Sequence, residues 1–154
     1  MPITIRFKVA RKWTPFYEYN DGGMSTSSYS FETNDCAVRA LALACKMSYD
    51  EAHERLKKQG RKDRRGTRFL KTILRSKIPD YDIEVVDFKS TVFKFMQNKP
   101  IGSYIVVTRD HAFCVENGII KDSFLKGMKS KIIFFAKVKG KKLTTQPEVT
   151  TLVT

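Results

Sequence analysis

The chain has few of the residues that carry chemistry. Among its 154 residues are two histidines, three cysteines and one tryptophan. Three cysteines in a chain of this length do not make a disulfide framework, which fits a reducing compartment such as the cytoplasm. There is no Cys-x-x-Cys, and His111 and Cys114 are three apart on an expected strand and so point opposite ways; no metal site is expected. No apolar run approaches the roughly 20 residues of a membrane span. The first residues, MPITIRFKV, alternate instead of forming an apolar block, so they read as a strand or extended arm and not as a secretory signal. No internal repeat or linker is visible. The expectation is one soluble domain over residues 1–142, followed by a Thr-rich tail over 143–154.

Positive charge, by contrast, is abundant: 29 Lys and Arg stand against 16 Asp and Glu, a net charge of +13. It is concentrated. Between Arg55 and Lys77 there are 11 basic residues and one acid, Asp63. Within that run Arg61, Lys62, Arg64, Arg65, Arg68, Lys71 and Arg75 form a candidate patch for nucleic acid or another polyanion. The plainer reading is a solvated helical face with a loop. No sequence-reading motif accompanies the run, so any nucleic-acid binding would be to phosphates and steeply salt-dependent.

Helix signals dominate the first half. CAVRALALAC, from Cys36, is an unbroken helix-favouring segment that Asn34 or Asp35 can cap. Ser48 to Glu51 is a capping box that opens a second helix, Tyr49 to about Gln59, which stops at Gly60. Thr67 is a candidate cap for a third, Arg68 to about Ser76, and Thr91 to Met96 is one more short helix. Strand-like segments follow: Asp82–Phe88, Ser103–Thr108, His111–Glu116, Ile119–Ser123 and Lys131–Val138. Helices followed by an antiparallel sheet is an α+β pattern.

The hairpin register brings the scarce residues together. A two-residue Asn117-Gly118 turn, type I′, pairs Glu116 with Ile119, Val115 with Ile120 and Cys114 with Lys121. His111, Phe113, Val115, Ile120 and Asp122 then share one face, expected to be the apolar, helix-covered one, and Asp122 is the diagonal neighbour of His111. A buried Asp needs a partner, and His111 is the nearest candidate. Cys36, in the first turn of its helix, gains thiolate character from the helix dipole and the unpaired N–H groups there. Those N–H groups, with the Asn34 side chain, can also receive an oxyanion. Thiol, imidazole and orienting carboxylate are the parts of covalent acyl chemistry. Cys45 and Cys114 read as packing residues, and His53 as a packed or surface one.

The run Asn34-Asp35-Cys36-Ala37-Val38-Arg39-Ala40, then GSYIVV from Gly102, His111-Ala112-Phe113-Cys114-Val115 and Asn117-Gly118-Ile119-Ile120-Lys121-Asp122-Ser123, resembles a small papain-like cysteine peptidase. The likeness is to the bacteriocin-leader-peptidase type and its short phage-encoded relatives, over about residues 33–124. It implies a papain-like fold with N-terminal helices on an antiparallel sheet. It implies Cys36 as nucleophile, His111 as general base and acid, and Asp122 as orienter. A peptide or protein substrate and no cofactor go with it. So does a location in the host cytoplasm or, for a phage protein, the virion. The family's Gln ahead of the Cys has no counterpart here, and Asn34 is its expected substitute. Deamidation or acyl transfer would use the same parts. The alternative function is a basic, catalytically silent module that binds nucleic acid or another polyanion.

Overall fold

The structure, a computed structural model, describes residues 7–9, 12–14, 16–98, 100–123 and 128–142. The expected tail and the extreme N-terminal arm fall outside these residues. Eight strands and four helices follow one another: β1 (Phe7–Val9), β2 (Lys12–Thr14), β3 (Tyr17–Tyr19), α1 (Cys36–Cys45), α2 (Tyr49–Lys58), α3 (Leu70–Ser76), β4 (Tyr81–Asp87), α4 (Val92–Gln97), β5 (Ser103–Thr108), β6 (Ala112–Glu116), β7 (Ile119–Asp122) and β8 (Ile132–Lys141). β1 and β2 form a small antiparallel pair, and the others form one six-stranded sheet in the order β3-β7-β6-β5-β8-β4. The architecture is α+β. Among the described residues no helix is long and apolar enough to cross a membrane.

The sheet is mixed, not antiparallel throughout as the sequence suggests. β3 runs parallel to β7, with Tyr17 opposite Ile120 and Tyr19 opposite Asp122, while the other neighbours are antiparallel. Tyr-Glu-Tyr is too short a segment to announce a strand by periodicity, and its partner lies a hundred residues away. The Asn117-Gly118 hairpin has the expected register, with both turn residues at positive φ, 48° and 81°.

Helix α1 forms because its residues can pack on nearly all sides: seven of its ten residues are buried. It ends at Lys46, left-handed at φ 55°, whose N–H closes the last turn on the Ala42 and Leu43 carbonyls. Ser48 caps α2 as its sequence indicates, its side-chain oxygen accepting the Glu51 N–H at 3.0 Å. α3 differs. It begins at Leu70 instead of Arg68, because Phe69 takes the left-handed conformation at φ 56° and interrupts the helical path; Thr67 does not cap it. Thr91 caps α4, accepting the Lys94 N–H at 3.1 Å.

Both faces of the sheet are covered. Ile105, Ala112, Cys114, Phe134, Ala136 and Val138 pack under α1, α2 and α3. On the opposite face Tyr104, Val106, Phe113, Val115, Ile120 and Ile132 meet Val92, Phe95 and Met96 of α4, together with Tyr17. The Phe113–Val115–Ile120 face is therefore apolar and covered, as expected, but by α4 and Tyr17. The helix that begins at Cys36 lies on the Ala112–Cys114 face. His111 lies just before β6, at the end of the sheet near the start of that strand.

Candidate active site

A tight turn between β5 and β6 sets His111. The Thr108 N–H donates to the His111 carbonyl at 2.8 Å, and His111 is 7% exposed. Its Nε2 lies 2.5 Å from Oδ2 of Asp122 at the end of β7. The carboxylate is itself held: Oδ1 accepts the Ser123 N–H at 2.7 Å, and the Asp122 carbonyl accepts the Tyr17 hydroxyl at 3.0 Å and the Asn20 N–H at 2.8 Å. Burial, with the Asp122 and Tyr19 charges adding to it, pushes the Tyr17 hydroxyl up to about 12, so it remains a donor.

Cys36, the first residue of α1, completes the group from the other face. The His111 ring and the Ala112 backbone N–H lie close enough to its sulfur to act on its ionisation. With Nε2 occupied by Asp122, the ring nitrogen left for the thiol is Nδ1. Burial opposes ionisation of Cys36, but the bonds from His111 and Ala112 and the His111 and Arg39 charges outweigh it, and the thiol is held below its ordinary value. The same balance acts on His111. Burial disfavours its charge, yet Asp122 and Cys36 raise it to about 9. Both directions favour a thiolate–imidazolium pair at neutral pH. Cys45 and Cys114 are buried and pushed up to about 12, and neither is a nucleophile.

The backbone N–H groups of the first turn of α1 have no intrahelical partner, and Asp35 makes no capping bond to them. The Asp35 carboxylate turns inward instead, accepting the Tyr49 hydroxyl at 2.7 Å and pairing with Arg39 at 3.1 Å. Arg39 also donates to Ser123, the neighbour of Asp122. It thereby ties α1 to the end of β7. Sequence reading gave Arg39 no role. The signal was present as the one charge in an otherwise apolar helix, four residues after an acid. Asn34 sits at φ 50° and donates through Nδ2 to the Arg64 carbonyl at 3.1 Å. That amide N–H is engaged with the neighbouring loop and not with the space over the thiol.

A second polar cluster underlies the segment leading to Cys36. Glu32 is buried and accepts Arg61 in a two-pronged pair, at 2.9 and 3.0 Å, and the Arg64 N–H at 2.9 Å. His53, fully buried, places Nε2 2.6 Å from Glu32, and the Tyr29 ring stacks on it at 3.5 Å. Glu32, His53 and Asp63 bring three potential ligand atoms within 4.8 Å of one another. A cation there would face the Arg61 guanidinium, which already covers both Glu32 oxygens, so the donor set does not suit a metal. Arg61 is thus corrected from the surface patch to the interior: it is 4% exposed and neutralised by Glu32.

Other cations of the basic run are also paired. Arg55 binds Asp80 and Glu51, and Lys71 lies 2.5 Å from Asp87. Lys62, Arg65 and Arg68 line a recess of about 250 Å³ between Gly60 and Gly66. Arg64 stacks over Phe31 at 5.0 Å, and Arg75 is exposed on α3. Comparison with protein-family models, with curated proteins and with solved structures yields no match.

Proposed function

We propose that the protein is a cysteine hydrolase of papain-like design, acting on peptide or isopeptide bonds through Cys36, His111 and Asp122. The observation that carries this reading is the buried 2.5 Å contact between Asp122 and His111, with the same imidazole close enough to Cys36, at a helix start, to hold its thiol below the ordinary value. His111 takes the thiol proton, and the thiolate attacks the carbonyl carbon. The oxyanion is received by the free first-turn N–H of Cys36. His111 then gives its proton to the leaving amine, and water, activated by the same imidazole, cleaves the acyl-enzyme. Asp122 keeps Nε2 engaged, so that Nδ1 faces the sulfur. Deamidation of a glutamine side chain uses the same steps, with ammonia as the leaving group.

The test is site-selective alkylation. Chloroacetamide at pH 6.5 modifies Cys36 ahead of Cys45 and Cys114, and His111→Ala abolishes the selectivity. Equal modification of all three thiols, or none, overturns the proposal.

A further inference from the structure

We infer that the loop from Gly60 to Arg68 is a substrate-binding element of this site, and that the substrate it selects is an acidic peptide segment. The inference rests on the hydrolase reading and names its substrate class.

Three observations converge. First, the basic loop is clamped to the segment leading into the nucleophile. Arg61 and the Arg64 N–H hold Glu32, and the Arg64 carbonyl holds Asn34, two residues before Cys36. Two residues of chain span at most about 7 Å, so the Arg64 carbonyl lies within roughly 15 Å of the sulfur. Second, pairing divides the cations of the run. Arg55, Arg61 and Lys71 are neutralised by acids of the chain itself. Lys62, Arg65 and Arg68 have no acid partner among the described residues, and they converge on one recess. A tracked nucleic-acid backbone needs charge along a line. Third, the recess of about 250 Å³ is smaller than the ~300–1,000 Å³ of sites for drug-sized ligands. It suits a carboxylate side chain better than a nucleotide.

An extended peptide rises about 3.3 Å per residue. Acidic residues about three to five positions from the scissile bond would therefore reach Lys62, Arg65 and Arg68. Such partly exposed pairs contribute affinity modestly, and they weaken with salt.

The experiment uses the full chain carrying Cys36→Ala, with a fluorescein-labelled 12-residue Glu-rich peptide, its Gln counterpart and a 12-nucleotide single-stranded DNA as probes. Anisotropy is expected to show the Glu peptide binding roughly tenfold tighter than the Gln peptide at 50 mM salt. Arg65→Ser with Arg68→Ser, checked for folding by thermal melting, is expected to remove that difference. In the unmodified protein the Glu peptide, and not the DNA, is expected to slow alkylation of Cys36. Equal binding of the two peptides overturns the inference, as does tighter binding of DNA that leaves Cys36 unshielded. Failure of selective alkylation without peptide overturns the hydrolase reading instead, and the anisotropy result stands apart from it.

Discussion

Nε2 of His111 and Oδ2 of Asp122 lie 2.5 Å apart, both buried, across a hairpin that separates them by eleven positions. A carboxylate in that position fixes the ring orientation and stabilises its charged form, which leaves Nδ1 and a proton for the Cys36 sulfur.

The pH dependence of alkylation follows. Cys36 is held below the ordinary thiol value of 9.0, so its modification with chloroacetamide is expected to outpace that of an ordinary thiol at neutral pH and below. His111 remains charged up to about 9. Above that pH the thiolate persists but the proton for a leaving amine is gone, so alkylation continues while turnover falls. His111→Ala is expected to slow alkylation at pH 6.5 by roughly tenfold or more. Rates read from the mass of the Cys36 peptide check this, and a His111→Ala rate equal to that of the unmodified protein refutes it.

Asp122→Asn removes the group that most raises His111. Its imidazole pKa is expected to fall from about 9 toward the ordinary 6.5, followed by NMR titration, and turnover to drop roughly 10²–10⁴-fold. Stability changes with pH in a defined sense. A folded-state pKa above the unfolded one stabilises fully below 6.5, and that contribution is lost as pH rises through about 9. Melting temperatures at pH 6 and 9.5 should therefore differ less in the variant. An identical pH dependence would show that Asp122 is not responsible.

Glu32→Gln leaves the buried Arg61 guanidinium without its counter-ion. The expected loss is about 3–5 kcal/mol, or roughly 10 °C in melting temperature. Replacing both, Glu32→Gln with Arg61→Met, should recover much of it. In the intact protein Glu32 is opposed by burial but held down to about 2 by Arg61, His53 and the Arg64 N–H. Its contribution is thus present above pH 4.5 and lost as pH falls toward 2. A single substitution that melts like the unmodified chain would contradict the assignment.

Gly22 and Gly140 both have positive φ, 71° and 123°. A Cβ on Gly22 would lie 3.1 Å from the Arg39 Cα, whereas one on Gly140 meets nothing within 4 Å. Gly140→Ala should cost about 1 kcal/mol through backbone strain alone. Gly22→Ala should cost more, about 2–3 kcal/mol, and should also slow Cys36 alkylation by displacing Arg39 and the start of α1. Equal losses in the two variants would show that the contact with Arg39 has no effect.

Local signals made much of this fold legible. The cap at Ser48, the turn at Asn117-Gly118 and the apolar, strand-favouring run of β6 each act over a few residues, and the structure follows them. What escaped depends on distant partners. Nothing near Tyr17–Tyr19 indicates that its mate is β7, and nothing in Arg61 marks it as the one cation of the basic run that turns inward to Glu32. Phe69 is 76% exposed and left-handed, against the preference of a bulky residue, so the start of α3 is set by the loop before it and not by its own sequence. At the candidate site, the neighbourhood of His111 and Asp122 is written in the hairpin. The approach of Cys36 is not, since it arrives from the other face of the sheet.

The parallel union of β3 with β7 also fixes a time order. Tyr17 reaches the Asp122 carbonyl across 105 positions of sequence, and Cys36 must wait for His111. A ribosome-bound chain that has not yet emitted residues 111–122 carries Cys36 as an ordinary helix-start thiol. The acidity of that sulfur is therefore conferred only once residues 111–122 have been made, which limits the period in which a half-made chain could react with its neighbours.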